Sequence, residues 1–489
     1  MSIVDEYLAA EAAGQFRAIR RRALRHIHDG GDIRLFVPFH HAGNDFSVVG
    51  LAFGRPRRRP DILICPPDPL DRIAVVATLT PFVDALLGWV DTHPVTQLTS
   101  AAGRPYFAAA ASPQLFVPSE GSKTAIDNWS YFLRHVPDDW SNAARLQRAG
   151  WELSALVEAA EWPGQSTLVA LTRMLAEHWA LGLSTTETES LAAAVALVKA
   201  TPAGLGWKQL RAAEEVTTGP LGDPGTFDDI AYRNARRRAR TAHPDVIATV
   251  EAAWRVATEA WELVAALPEA PSAHPAHSEA VADWAGRVGP GRTRGRWARR
   301  AVPPLGRSAQ RLGRLEEAQE SLLSRQAESD VLVAAELAGE GDAVLADHVH
   351  IDVTSHNRKY TVDITVAASQ LRVPEMGTHL LVAGPAKRVV GVVTDVVGSP
   401  GAWELVLTIR ANLGQCTGIN TAKTLFPSDV VWLVPPPPRY RPPLQMPSGS
   451  PATHPGSIVQ WTPVGTDPNA PDGTDVLDDG GLAQGAGNA

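Results

Sequence analysis

Cysteine is nearly absent from this chain. Its 489 residues include only two, Cys65 and Cys416. Two thiols cannot build the multiple crosslinks of small secreted domains, and they cannot supply the ligand set of a cysteine-based zinc site. Lysine is scarce as well, with six residues, so nearly all positive charge is carried by arginine. We therefore expect a protein of the reducing cytoplasm that is folded around apolar cores.

Long apolar runs are also missing. No stretch approaches 18 uninterrupted apolar residues, the length needed to cross a bilayer as a helix. The first residues, MSIVDEYLAAEAAG, place acids where a secretory signal has a basic start and an apolar run. The sequence thus predicts no membrane partner and no export signal.

The common catalytic motifs are not found. The chain has no GxGxxG after a strand, no HExxH and no GxSxG. The run Gly121-Ser122-Lys123-Thr124 is similar to the end of a phosphate-binding loop, but Phe116 stands where that loop needs its first glycine. We expect no bound cofactor, no catalytic residue set and a non-enzymatic role.

Two histidine-containing runs leave a metal-dependent hydrolase open as an alternative. His348, His350 and Asp352 fall on one face of a predicted strand and resemble the HxHxDH ligand run of metallo-β-lactamase-like hydrolases. Val353 stands where that run has its last histidine. His40 and Asp45 lie at another strand end, where a solvated loop is the more common arrangement. Neither run completes a metal site, so we predict no bound metal.

The residues that are present predict several domains. The apolar share of 44% suffices for real cores, and a chain of this length holds two to four domains. The net charge of −8 is uneven, because residues 442–489 contain five Asp and no Lys or Arg. Residues 437–489 are rich in Pro, Gly and Asp, which predicts a disordered tail that is dispensable for folding.

The stretch from Gly306 to Val434 carries the clearest pattern. Its first part, to about residue 339, has an apolar stripe at helical spacing. From His348 the period changes to two, as in AWELVLTIR, where apolar and polar side chains alternate. Six short predicted strands favour a small barrel of the OB or SH3 kind over residues 342–436, because a closed sheet has no exposed edges.

The remaining chain is divided by composition into three further regions, which gives a multi-domain α+β protein. Residues 1–120 alternate strands and helix and predict a small α/β domain. Residues 121–225 predict a helical domain. Residues 226–341 predict an antiparallel, coiled-coil-like helix pair, joined by a mobile linker at 268–305, that leads to the barrel.

The arginine-rich segment is the strongest functional signal. From Arg287 to Arg314 the chain has nine arginines and no acid, and glycines accompany its first part. A flexible Arg/Gly segment with an aromatic residue can follow a phosphate backbone and stack on a base. The candidate nucleic-acid-binding residues are Arg287, Arg292, Arg294, Arg296, Trp297, Arg299, Arg300 and Arg307.

These observations give one leading hypothesis and two alternatives. The leading hypothesis is a non-enzymatic cytoplasmic protein that binds DNA, RNA or a nucleic-acid-processing partner through the arginine segment and the small barrel. The first alternative is a protein-assembly scaffold without nucleic-acid contact, in which the arginines belong to a solvated linker. The second is the metal-dependent hydrolase.

Overall fold

The computed structural model covers most of the chain. It describes residues 9, 12–41, 44–65, 72–183, 190–219, 244–294, 305–346, 348–356, 359–382, 390–409 and 431–436. Met1–Arg441 forms one compact unit, and Pro442–Ala489 is a separate one. The predicted disorder of the tail concerns residues outside the described part.

The described residues form a mixed α+β structure. The strands are β1 (Ile19–Arg20), β2 (Ile33–His41), β3 (Asn44–Gly54), β4 (Asp61–Ile64), β5 (Val95–Thr99), β6 (Pro105–Ala109), β7 (Gln114–Val117), β8 (Leu168–Ala170), β9 (Trp179–Ala180), β10 (Val344–Ala346), β11 (His348–His356), β12 (Lys359–Ala368), β13 (His379–Val382), β14 (Val390–Ser399), β15 (Ala402–Ile409) and β16 (Val431–Val434). The helices are α1 (Arg72–Val90), α2 (Glu120–Arg134), α3 (Ala143–Ala159), α4 (Leu171–His178), α5 (Leu191–Ala200), α6 (Trp207–Glu214), α7 (Pro244–Ala265), α8 (Ala273–Arg294), α9 (Leu305–Ser329) and α10 (Val331–Glu340).

A five-stranded mixed sheet organises the first half of the chain. Its order is β4-β3-β2-β7-β8; β2, β3 and β4 are antiparallel neighbours, and β2, β7 and β8 are parallel. Phe36 and Val37, which follow each other in β2, are both buried. Because consecutive strand residues point to opposite faces, both faces of this sheet must be covered.

Helices cover each face of the sheet and form two cores. Val37 lies in a core with residues of α4, α5 and α7, and Phe36 lies in a second core with residues of α1, α2 and α3. Strand β8 and helices α2–α5 therefore belong to the same structure as the N-terminal strands. The boundary predicted at residue 120 does not separate two cores, because β8 completes a sheet that begins at β2.

The predicted pairing of the two helices in residues 226–341 is wrong, because the first of them packs on the five-stranded sheet. Helix α7 has the expected amphipathic face, but Val250, Trp254 and Ala257 are buried in the core against the five-stranded sheet. The predicted linker at 268–305 contains α8, a helix of 22 residues. The helix predicted at 306–339 is divided at Asp330, whose side chain accepts the Leu332 N–H and so caps α10.

A seven-stranded antiparallel sheet follows α10. Its order is β10-β16-β13-β14-β15-β12-β11, and its strands agree with the predicted ones, with β10 in addition. Only one residue separates Ala346, the end of β10, from His348, the start of β11, so their Cα atoms lie within about 8 Å. Since β10 and β11 are the two outermost strands, the sheet must curl into a half-barrel. Its apolar core includes Ile364, Leu405 and Leu407.

One described helix is long and apolar enough to cross a membrane by length and composition. This is α1, and half of its most apolar window is buried inside the protein. Val83, Leu86 and Val90 of this helix are fully buried in the core with α2 and α3. Helix α1 therefore has the packing of a core helix.

Candidate functional site

The structure gives two of the predicted phosphate-binding arginines internal partners. Arg292 donates from Nε and Nη2 to the two carboxylate oxygens of Glu152, at 2.9 and 2.8 Å, and from Nη1 to the His93 carbonyl at 2.8 Å. Its guanidinium also lies over the Trp284 ring. Arg287 contacts Asp283 at 2.7 Å and Glu158 at 3.1 Å. Both guanidinium groups are thus engaged in fixing α8 to α3.

The expected flexibility of this stretch is wrong up to Arg294, because a helix forms there. Gly289 allows α8 to approach β6: a Cβ at this position would lie 2.3 Å from the Phe107 ring. The signal for the helix was present in the sequence. Ala276, Ala280, Trp284 and Val288 are spaced by four residues, and all four are buried.

The other candidate residues surround the connection between α8 and α9. Arg294 is the last residue of α8, and Arg307 lies in the first turn of α9. Arg296, Trp297, Arg299 and Arg300 lie outside the described residues, and their role stays a prediction. Both flanks of the connection are attached to the same part of the protein, because Arg292 pairs with Glu152 and Arg311 pairs with Glu161.

A groove of about 890 Å³ lies beside these helices, but its charge is mixed. It is lined by Glu158, Glu161, Trp162, Glu279, Asp283, Arg287, Arg311 and Arg314 among others. Four carboxylates would repel a phosphate backbone in this groove. The groove itself is therefore a poor site for a phosphate backbone.

A histidine-lined cavity at the amino ends of β2 and β7 was missed by the sequence analysis. Its volume is about 270 Å³, and its polar lining includes His28, Asp32, His93, Gln114, His274 and His277. His274 and His277 are three residues apart at the start of α8, which places them on one helix face. That spacing is the only sequence signal for the cavity, because His28 and His93 come from distant parts of the chain.

Hydrogen bonds orient three of these imidazoles in the same way. Nδ1 of His28 is 2.8 Å from Glu269, Nδ1 of His93 is 3.1 Å from the Trp89 carbonyl, and Nδ1 of His277 is 2.7 Å from the Ser166 hydroxyl. A carbonyl can only accept, so Nδ1 of neutral His93 carries the proton and its Nε2 is an acceptor. None of the three Nε2 atoms has a hydrogen-bond partner among the described residues.

Burial lowers the pKa of two of these histidines, His93 and His277, and so keeps these two neutral near pH 7. It lowers the pKa of His277 to about 4, and the neighbouring His28 and His274 act in the same direction. Burial also lowers the pKa of His93. A base with a pKa near 4 is poorly matched to proton transfer at neutral pH. Nε2 of His93 is thus placed to accept a hydrogen bond from a small polar ligand, and His277 is poorly suited to proton transfer near pH 7.

The described members of the two histidine runs singled out in the sequence do not come together in a metal site, and the side chains of His348 and Asp45 lie outside the described residues. His350 and Asp352 lie on the outermost strand β11, 3.5 Å apart and largely exposed. His40 is buried, contrary to expectation, and accepts a hydrogen bond from Trp129 at 3.0 Å. Across the described ranges, no three His, Cys, Asp or Glu side chains lie close enough to hold a metal ion.

A buried polar junction joins the N-terminal segment to α10. Asp330 accepts hydrogen bonds from the backbone N–H groups of Ala23 and Leu24 at 2.8 and 2.9 Å, and its carboxylate lies 3.1 Å from His26 Nε2. Burial alone would raise the pKa of the Asp330 carboxyl, but its hydrogen bonds outweigh burial and hold the pKa below its usual range. Nearby, Arg21 and Arg22 both pair with Glu336. This junction positions the half-barrel through charge and hydrogen bonding.

Comparison with known proteins gives no relative of this chain. No protein-family model, no curated protein and no solved structure matches it.

Proposed function

We propose that this protein binds the phosphate backbone of nucleic acid through the arginines that connect α8 to α9. Residues 293–310 carry five arginines, Trp297 and no acid. The observation that carries the proposal is the attachment of both flanks to α3 and the residues that follow it, through the Arg292–Glu152 and Arg311–Glu161 pairs. A basic connection held at both ends loses less conformational entropy on binding than a free tail of the same composition.

The proposal differs from the sequence prediction in its set of residues. Arg287 and Arg292 are structural, because their guanidinium groups are engaged by carboxylates of α3 and α8. The residues proposed to contact phosphates are Arg294, Arg296, Arg299, Arg300 and Arg307, with Trp297 stacking on a base. We also propose that the half-barrel is a small barrel of the OB or SH3 kind and that the protein acts in the cytoplasm.

Salt dependence of binding tests the proposal. Five engaged arginines would give a slope of roughly −4.5 in log K against log salt on duplex, and three would give roughly −2.7. Replacing all five with Ala should abolish the slope and leave the unfolding curve unchanged. Arg58, Arg59, Arg104, Arg255 and Arg372 are exposed elsewhere on the protein and provide a charge-matched control variant.

The measurement is fluorescence anisotropy with short labelled DNA and RNA, from 50 mM salt upward. Equal losses of affinity in the test and control variants would show that net charge alone drives binding. No binding by the full chain at 50 mM salt would overturn the proposal. The protein-assembly scaffold would then be the function to pursue.

A further inference from the structure

We propose that a groove on the half-barrel binds the proline- and arginine-rich segment of this same chain, Pro437–Arg441. The groove has a volume of about 910 Å³. It lies between the end of α10, the β12–β13 connection and the β14–β15 hairpin. The segment reads PPRYR and follows Pro435 and Pro436 directly.

The groove is lined by apolar side chains that are exposed to solvent. Leu371 and Met376 line it with 76% and 64% of their surface exposed, and Val396 and Trp403 line it as well. Proline-rich segments bind to aromatic-lined grooves because the polyproline helix is already extended before binding. An apolar floor with one indole matches this mode of recognition.

The indole N–H of Trp403 lacks a hydrogen-bond acceptor among the described residues. Its Nε1 atom is shielded from solvent. A buried N–H without an acceptor costs free energy that a bound partner can recover. Proline carbonyls are good acceptors and are not used in a polyproline helix, so a proline-rich peptide in the groove would supply the missing acceptor once the Trp403 ring turns toward it.

The groove is acidic and the segment is basic. Glu340, Asp342 and Glu375 line the groove together with one guanidinium, that of Arg372. Pro437–Arg441 contains two arginines and no acid. The charges are therefore complementary, which favours seating and sets its direction.

The backbone around the groove is already held in place. The Gly377 N–H donates to the Val393 carbonyl at 2.8 Å, and the Val393 N–H donates to the Thr378 carbonyl at 2.9 Å. Gln370 Nε2 donates to the Ala343 carbonyl at 2.8 Å. These bonds attach the β12–β13 connection to β14 and to the start of β10. A preformed groove loses little entropy when a peptide binds.

The chain leaves β16 beside this groove. In the antiparallel registers, Leu433 is opposite Val344 and Val434 is opposite Leu381. Val344 and Leu381 lie two and three residues from Asp342 and Thr378, which line the groove. Pro435, the first residue after β16, accepts a hydrogen bond from the Ser324 hydroxyl of α9. Five residues in a polyproline helix span about 15 Å, so the segment reaches the groove without a linker.

Two truncations that differ by five residues test the proposal. One chain ends after Arg441 and the other ends after Pro436. The indole N–H resonance of Trp403, identified by its loss in Trp403→Phe, should shift between the two chains. A synthetic peptide of residues 435–441, PPPPRYR, should bind the shorter chain and restore the resonance position. It should bind the longer chain at least about tenfold more weakly, because the groove is occupied.

A charge exchange separates specific seating from general attraction. The peptide PPPPEYE should bind the shorter chain about tenfold more weakly than PPPPRYR, a loss of about 1.4 kcal/mol. Asp342→Lys together with Glu375→Lys should reverse this preference. Asp352→Lys together with Asp395→Lys replaces two exposed carboxylates outside the groove and should leave it unchanged.

Two outcomes would overturn the proposal. The first is an unshifted Trp403 resonance together with no binding of PPPPRYR to the shorter chain. The second is a molecular mass that rises with concentration only in the chain ending after Arg441, measured by sedimentation equilibrium. That result would assign the groove to the segment of a second copy.

Discussion

Arg292 and Glu152 are 140 positions apart in the sequence and form a bidentate ion pair that is almost completely buried. The Glu152 side chain is 2% exposed, and the Arg292 side chain is 13% exposed. Arg292 also reaches the His93 carbonyl and stacks on Trp284, so one side chain connects α8, α3 and His93, two residues before β5. An arginine from a stretch without any acid, residues 284–315, thus depends on a carboxylate from another helix.

Removal of one partner of this pair should be costly. Arg292→Ala leaves the Glu152 carboxylate buried without a counter-charge, which should lower the free energy of unfolding by about 3–5 kcal/mol. Arg292→Lys should recover only part of the loss, because an ammonium cannot make the two parallel hydrogen bonds. Urea unfolding measures the change, with the exposed Arg104→Ala as control. A loss below about 1 kcal/mol for Arg292→Ala would contradict the assigned role.

Gly289 and Gly286 lie one turn apart in α8 and should respond in opposite directions to alanine. A Cβ at Gly289 would lie 2.3 Å from Phe107, so Gly289→Ala should destabilise the protein by about 1–3 kcal/mol through overpacking. A Cβ at Gly286 meets no atom within 4 Å. Gly286→Ala should therefore stabilise the helix by up to about 1 kcal/mol. Thermal unfolding of the two variants gives the comparison, and equal shifts would show that α8 does not pack on β6.

Asp330 should tolerate no neutral replacement. Asp330→Asn has the same shape, but its amide must turn a donor either toward the N–H groups of Ala23 and Leu24 or toward that of Leu332. We expect a loss of about 2–4 kcal/mol in the free energy of unfolding. Asp352→Asn, on an exposed strand position, is the matched control. Equal stability of the two variants would show that Asp330 is not needed to attach α10.

Stability should fall as pH decreases through the range of the buried histidines. Burial lowers the pKa of His178 and of His277 to about 4. Between the ordinary histidine pKa of about 6.5 and pH 4 the unfolded chain binds more protons than the folded one, so each residue costs up to about 3 kcal/mol by pH 4. This loss is absent above about pH 7.

A histidine replacement isolates that contribution. Urea unfolding of His277→Gln at pH 7.5, 6 and 5 should give a shallower pH dependence than the unmodified chain. The control is His135→Gln, which replaces the exposed histidine that directly follows α2. If His277→Gln and the unmodified chain have parallel pH profiles, His277 is not neutral in the folded protein.

The sequence by itself determined the elements whose pattern is local. The alternation in β15 and the apolar stripe of α9 and α10 are consequences of side-chain period, which a short window of sequence contains. For this reason six of the seven strands of the half-barrel were predicted from the sequence. The same local view treated the glycines near Arg292 as a sign of flexibility, because a glycine that permits close packing looks identical in sequence to one in a loop.

Only the tertiary structure decided which residues meet. Whether Arg292 faces a phosphate or Glu152, whether α7 packs on α9 or on the sheet, and whether His28 joins His277 depend on contacts between residues more than a hundred positions apart. The charge or hydrophobicity of a side chain determines which kind of partner it requires when it is buried. A chain of this length contains many residues of that kind. The fold selects among them by burial, since a buried charge or N–H is stable only where its partner is already in place.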